Sequence, residues 1–157
     1  MNIMYRKAGL EDLDLLVNMR IEALHFSNDI SEAEDLSGLA ERIRNYYYDA
    51  LINGRHTAVL VYDGDQAIAC GNISYYEVLP TYCRPSGKKG YISNMYVRTA
   101  YRRKGIAGKI LEILIDDAHE RGINDILLEA TEEGRHLYEK RGFEYMKDEM
   151  ELLGDEE

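Results

Sequence analysis

The stretch from residue 91 to residue 130 constrains the fold most. Tyr91 to Val97 is a β-rich run. Ile106, Ile110, Ile113 and Leu114 then follow the three-and-four spacing of one helix face as far as Asp117-Ala118, and Gly122 supplies a stop. Asp125 to Ala130 is a second β-rich run. A strand, a helical crossover and another strand lie side by side as a parallel pair with a right-handed connection, so the sheet must be mixed. Ligands of such sheets sit beyond the carboxyl ends of the parallel strands, where the next helix offers its N-terminus. In this chain that end is Val97 to Gly108.

The flanking sequence supplies the rest of a single domain. Ile3 to Arg6 reads as a short strand; Leu10, Leu13, Leu16, Val17, Ile21 and Leu24 mark one amphipathic helix, and Leu36, Leu39, Ile43, Tyr47 and Leu51 a second. Ala58 to Tyr62 and Ala67 to Tyr76 flank Asp63-Gly64, a hairpin signal. Glu133 to Arg141 reads as a short helix before Gly142, and Tyr145 to Leu152 as a last strand. The predicted order is β-α-α-β-β-β-α-β-α-β, an α/β (α+β) fold with a mixed central sheet flanked by helices. One domain over residues 1–157 is the expectation, since 45% hydrophobic and 31% charged residues suit a chain that closes its own core. Leu79 to Gly90, which holds both prolines, Pro80 and Pro85, reads as a loop within it.

Charge and composition narrow the partners. With 19 Lys+Arg against 29 Asp+Glu the net charge is −10, which repels nucleic acid and anionic membranes as a whole. No apolar run approaches membrane-spanning length, and the first residues lack the pattern of a secretory leader. Cys70 and Cys83 are expected as free thiols in a reducing, cytoplasmic compartment. His25, His56, His119 and His136 stand far apart without ligand spacing, so no metal is expected and satisfied or solvated imidazoles are.

Against that acidic background, residues 98 to 109 carry Arg98, Arg102, Arg103, Lys104 and Lys109 and no acid, leaving −15 on the rest of the chain. Gly105 and Gly108 would let backbone N–H groups approach a diphosphate at a helix start. A specific phosphate cradle and an exposed basic turn both fit these residues. The nucleotide P-loop motif is absent, as is Gly-x-Gly-x-x-Gly after the first strand. Gly105-Ile106-Ala107-Gly108 matches the loop of an RNA-binding KH module, but the acidic remainder argues against RNA.

The same residues resemble the GNAT (Gcn5-related) N-acetyltransferases. Arg102-Arg103-Lys104-Gly105-Ile106-Ala107 matches the family's Arg/Gln-x-x-Gly-x-Gly/Ala coenzyme A loop, and Asn94-Met95-Tyr96-Val97 is similar to the strand before it. Leu137-Tyr138-Glu139-Lys140-Arg141-Gly142-Phe143 is similar to the family's Leu-Tyr-x-x-x-Gly-Phe motif. The resemblance is clear from Gly90 to Met150. It implies acetyl-CoA as donor, its pantetheine paired along Met95, Tyr96 and Val97 of a splayed strand. The pyrophosphate would lie on Arg102, Arg103, Lys104, Gly105, Ile106, Ala107 and Gly108. Where many members carry an Asn after the next strand, this chain has Ala130-Thr131-Glu132-Glu133-Gly134-Arg135; Thr131 either caps the following helix or touches the coenzyme.

The resemblance implies transfer of acetyl from acetyl-CoA to a primary amine by direct attack in a ternary complex. Tyr138 is then the acid that protonates the departing thiolate, with a packing tyrosine as the alternative. The oxyanion donor is a backbone N–H near Val97. The base is open. Some relatives have a Glu where Tyr91 stands; Glu77, Glu129 and a water chain are the candidates. Tyr46-Tyr47-Tyr48 suggests an aromatic box for a cation, but helical geometry points the three apart. Asp29, Glu32, Glu34 and Asp35 form either a solvated link or an acidic wall that draws in a cationic small-molecule or peptide amine. A homodimer is compatible with this reading. Competing readings are a non-catalytic acyl-CoA-binding or regulatory module, and a basic docking patch for an acidic protein.

Overall fold

A computed structural model describes residues 1–154. Among the described residues five strands and four α-helices follow one another. β1 (Ile3–Lys7) leads through a short 3-10 turn into α1 (Leu13–Ser27) and then α2 (Ser37–Ile52). β2 (His56–Asp63), β3 (Gln66–Glu77) and β4 (Lys88–Val97) come next, then α3 (Ile106–Glu120), β5 (Asp125–Leu128) and α4 (Arg135–Arg141). The sheet order is β1-β2-β3-β4-β5; the first three pairings are antiparallel and β4–β5 is parallel. The mixed sheet expected from residues 91 to 130 is therefore formed.

Alternation along β2 explains the layers. Val59 and Val61 face α3 and α4 in one core with Ile68, Ile73, Ile110 and Leu114. Ala58 and Leu60 face α1 and α2 in another with Leu16, Met19, Tyr47 and Cys70. Both faces of the middle strands are covered, which is why β2 is buried from His56 to Val61. Gly71 of β3 allows α3 to sit close: a Cβ there would collide with Ile110 and lie 2.6 Å from Met95 Sδ.

One buried charge ties the ends of this sandwich together. Asp117 of α3 accepts hydrogen bonds from Lys7 Nζ (2.8 Å), Thr57 Oγ1 (2.8 Å), Tyr75 O–H (2.6 Å) and Arg121 Nε (3.2 Å). Burial alone would raise its pKa, but the hydrogen bonds from Lys7, Tyr75 and Thr57 prevail and hold it below 3.8. Asp117→Asn should destabilise the protein by about 3 kcal/mol, the low end for breaking a buried ion pair, because Lys7 and Arg121 keep access to water. Thermal unfolding should show a drop of roughly 6–12 °C at neutral pH. Because the folded pKa is depressed, this contribution is complete above the unfolded value. The gap between variant and parent should therefore close as pH falls below 3.8.

Two expectations are corrected. The strand foreseen at Tyr145 to Leu152 does not form: among the described residues the chain after α4 has no regular element. Tyr145, Met146, Met150, Leu152 and Leu153 are exposed. Lys147, Asp148, Glu149 and Glu151 interrupt both of its faces, so no pairing in this chain buries a continuous apolar side. β4 begins at Lys88 rather than Tyr91, because Lys88, Lys89 and Gly90 continue the ladder against Glu77, Tyr76 and Tyr75. Cys70 is buried and Cys83 exposed, both as free thiols. Among the described residues no helix is long and apolar enough to cross a membrane, and no cluster of metal-ligating side chains occurs.

Candidate active site

The site starts where the parallel strands part. β4 pairs with β5 from Lys89–Asp125 to Ile92–Leu128, and β4 then runs on to Val97 without β5 beside it. Asn94 takes φ +56° at a bulge, where the β3–β4 register slips between Cys70 and Asn72. Beyond the bulge Arg98 N–H donates to the Ile68 carbonyl at 3.0 Å. Alternation in an antiparallel ladder therefore turns the Val97 N–H away from β3, into the open gap. Met95 and Val97 pack their side chains against the α3 core. Tyr96 points to the other face, where its hydroxyl donates to Glu22 at 2.8 Å, so only its backbone borders the gap.

The loop that closes the gap is built from Arg98 to Gly105. A 3-10 turn at Thr99–Tyr101 is followed by Arg103 at φ +60° and Gly105 at φ +79°, and α3 begins at Ile106. The N–H groups of the first helical turn, Ile106, Ala107 and Gly108, have no acceptor within the helix. Ile106 itself is buried in the core and offers only its backbone. The five cations divide. Arg98 forms a two-pronged ion pair with Glu22, both contacts 2.8 Å. Arg102 stacks on Phe26 at 4.2 Å, donates to the Val97 carbonyl at 3.0 Å and lies 3.7 Å from Glu133. Arg103, Lys104 and Lys109 are exposed and form no ion pair among the described residues. Arg98 first, then Tyr96, keep Glu22 ionised against the effect of burial. Glu22 is an anchor for the loop that sequence reading missed; its signal was an acid on α1 with no Lys or Arg three or four residues away on its own helix face.

Tyr138 lies on α4 in the same apolar cluster as Met95 and Val97, 8% exposed, its ring edge-on to Phe143. Its hydroxyl has no hydrogen-bond partner among the described residues, and burial raises its pKa. It also lines a cavity of about 430 Å³ with Leu128, Glu129 and Ala130. Thr131 Oγ1 accepts the Gly134 N–H at 3.1 Å and so closes the turn into α4.

A second cavity, about 590 Å³, opens on the opposite face between α2 and the sheet, bordered by Ser93 and Asn94 at the bulge. His56, Asn72, Ser74 and Tyr46 form its polar wall. His56 Nε2 lies 2.7 Å from Asn72 Oδ1, which also accepts from Tyr47 O–H at 3.0 Å. A carbonyl oxygen can only accept, so Nε2 carries the proton and Nδ1 the lone pair. Nδ1 is 3.0 Å from the Tyr46 hydroxyl and 3.3 Å from Ser74 Oγ, which are 2.7 Å from each other. Burial lowers the His56 pKa, the Asn72 bond opposes that, and Arg121 adds to the lowering. His56 is therefore neutral near pH 7.

The other base candidates fare differently. Glu77 is exposed at the end of β3 and does not line the cavity. Glu129 sits 3.5 Å from the Tyr91 hydroxyl but borders the Tyr138 cavity. The expectation that Tyr46, Tyr47 and Tyr48 point apart holds only for Tyr48, which is exposed; Tyr46 and the buried Tyr47 both line the cavity, edge-on to each other at 6.0 Å and both packed on His56. Asp29, Glu32, Glu34 and Asp35 are exposed on the link between the first two helices and none lines the cavity, so the acidic wall is not there. Arg20, Arg42 and Arg55 are on the wall instead. Arg20 left a signal that went unread, since it interrupts the apolar stripe of α1 midway between Leu16 and Leu24.

Comparison with known proteins identifies the family and the fold. Residues 22–143 match the family model described as Acetyltransferase (GNAT) family. A predicted acetyltransferase from Clostridium acetobutylicum, solved with acetyl-CoA, is 34% identical, covers 96% of each chain and superposes with a TM-score of 0.87. A GCN5-related N-acetyltransferase from Ralstonia eutropha is 25% identical over 97% of this chain and 99% of its own, with a TM-score of 0.81. The uncharacterized N-acetyltransferase YsnE of Bacillus subtilis is 29% identical over 89 residues, 54% of this chain and 53% of that protein. The match thus spans about half the length of that curated relative, and 35% and 41% of two others. With a family model matched from α1 to the residue after Gly142, and the splayed strands and glycine loop in place, the chain belongs to the GNAT acetyltransferase family.

Proposed function

We propose that the protein is an acetyl-CoA-dependent N-acetyltransferase acting on a primary amine by direct attack in a ternary complex. The observation that carries this reading is the gap beyond Ile92, with the Val97 N–H turned into it and the uncapped start of α3 at its end. The residues present fit acetyl-CoA. The free edge of β4 at Met95 to Val97 offers backbone partners for the pantetheine amides. The N–H groups of Ile106, Ala107 and Gly108, with Arg103, Lys104 and Lys109, offer a diphosphate site.

Acetyl-CoA supplies an activated acetyl thioester when bound. The Val97 N–H is the donor available to the thioester carbonyl oxygen, already oriented by the ladder to β3. Tyr138 O–H, kept protonated by burial, is the proton donor for the sulfur. On the opposite face the Tyr46 hydroxyl takes a proton from the amine and passes its own to His56 Nδ1, with Ser74 Oγ as a parallel route. Holding both reactants on either side of the β4 bulge supplies the rest through proximity.

The test is release of free thiol from acetyl-CoA in the presence of an amine panel, alongside titration calorimetry for acetyl-CoA itself. Amine-dependent thiol release supports the reading; tight binding with no release under any amine leaves an acyl-CoA-binding module. The base has its own prediction. Because the His56 pKa lies below 6.5, turnover should stay level as pH falls to that value and drop only below it. Tyr46→Phe should lower kcat by at least about tenfold and flatten that acid limb. A wild-type limb above pH 6.5 in a kcat profile would remove His56 from the relay.

A further inference from the structure

The acceptor cavity carries charge that acetyl transfer alone does not use. Arg20 is half-buried in its wall, and its one described hydrogen bond goes to a neutral group, Asn94 Oδ1, at 3.2 Å. Arg42, exposed on α2, makes no described hydrogen bond or ion pair. The third arginine, Arg55, is already paired with Asp49. Among the described residues no Asp or Glu lines this cavity. Other partly buried arginines are neutralised: Arg6 by Asp12, Arg98 by Glu22 and Arg121 by Asp117. In a chain of net charge −10, a half-buried guanidinium beside a cavity without a carboxylate is an exception.

The floor adds an independent sign. Asn72 is 1% exposed and lines the cavity, yet its Nδ2 has no acceptor. Its Oδ1 is committed to Tyr47 and His56, so the amide is fixed with a donor left over. A buried donor without a partner calls for an oxygen. Two guanidiniums without a carboxylate partner, on a cavity whose floor residue keeps a buried amide donor unused, suit an oxyanion.

We propose that the amine accepted by this protein carries its own anionic group, a carboxylate or a phosphate, which Arg20 and Arg42 hold while Tyr46 faces the amine. This rests on the acetyltransferase reading of the cavity. It reverses the preference expected from the acidic link between the helices, which lies outside the cavity. A polyamine brings only positive charge to a wall that is already positive.

The experiment uses matched pairs that differ in the anion alone: alanine against alaninamide, glucosamine 6-phosphate against glucosamine, with spermidine as the polycation. Thiol release should give a kcat/KM at least about tenfold higher for the anionic member of one pair, and the pair that responds separates carboxylate from phosphate. Arg42→Ala should abolish that preference by raising KM for the anionic amine, with acetyl-CoA affinity unchanged. Arg44→Ala, which removes a charge of the same helix outside the cavity, should keep the preference. Calorimetry with N-acetylalanine against N-acetylalaninamide, and N-acetylglucosamine 6-phosphate against N-acetylglucosamine, reads the anion site without turnover. Discrimination there without thiol release from any amine supports the anion site and overturns the catalytic reading instead. Equal values within both pairs in both assays, or spermidine as the favoured acceptor, overturn the proposal.

Discussion

Replacing Gly105 by glutamate should reduce acetyl-CoA affinity by about 10²-fold or more in titration calorimetry, and two physical terms add to that loss. Gly105 holds φ +79° immediately before α3. An L side chain there costs roughly 1–2 kcal/mol, which is drawn from the loop conformation that presents the first-turn N–H groups. The carboxylate also brings a negative charge to the helix terminus and to Arg103 and Lys104, where the diphosphate must sit. It would satisfy the same donors and repel the ligand. No atom lies within 4 Å of the position a Cβ would take, so the variant should fold and the effect should be confined to the loop. Gly105→Ala carries the backbone term alone and should lose about tenfold. Unchanged affinity in the glutamate variant would dismiss this loop as the coenzyme site.

What the sequence disclosed depended on whether a feature was periodic and local. The apolar stripe of α3, the Asp63-Gly64 hairpin and the run from Val97 to Gly108 each lie within a few turns of one element, so spacing alone located them. The cofactor side of the site was legible for that reason: its parts are backbone groups and glycines contiguous in the chain. The acceptor side was not. His56, Asn72, Ser74 and Tyr46 come from three elements, and only the β2–β3 register, His56 opposite Ser74, brings two of them together. An isolated histidine in a sequence carries no sign of the tautomer that Asn72 imposes on it.

Charge misled in both directions. Four acids close together between α1 and α2 suggested a surface that attracts cations, yet they are solvated, whereas Arg20 and Arg42, 22 positions apart, share one cavity. In the loop, five cations suggested a larger free charge than three, because Glu22 reaches Arg98 from α1 and Phe26 takes Arg102. Pairing across elements cannot be read from a one-dimensional charge count. Strand propensity failed at Tyr145 to Leu152 for a related reason, since a strand needs an edge and a face as well as suitable residues.

Tyr138→Phe should lower kcat by about 10²-fold while acetyl-CoA affinity and thermal stability stay near those of the parent. Phenylalanine keeps the ring in its place against Phe143 and in the cluster with Met95 and Val97. Only the hydroxyl goes, and it has no partner among the described residues to strand. The size of the effect follows from the leaving group. A thiol ionises near pH 8.5, so its anion departs with only moderate help, and an acid that shortens that step contributes toward the lower end of the usual range. This gives a test that a packing role would not pass: a thioester of a more acidic thiol should be turned over by Tyr138→Phe almost as fast as by the parent. Burial also raises the Tyr138 pKa above 10, so the hydroxyl remains a donor across the neutral and mildly alkaline range, and loss of kcat through its ionisation belongs above that value. Full turnover in the variant, or a deficit that the better leaving group does not relieve, would reduce Tyr138 to a packing residue.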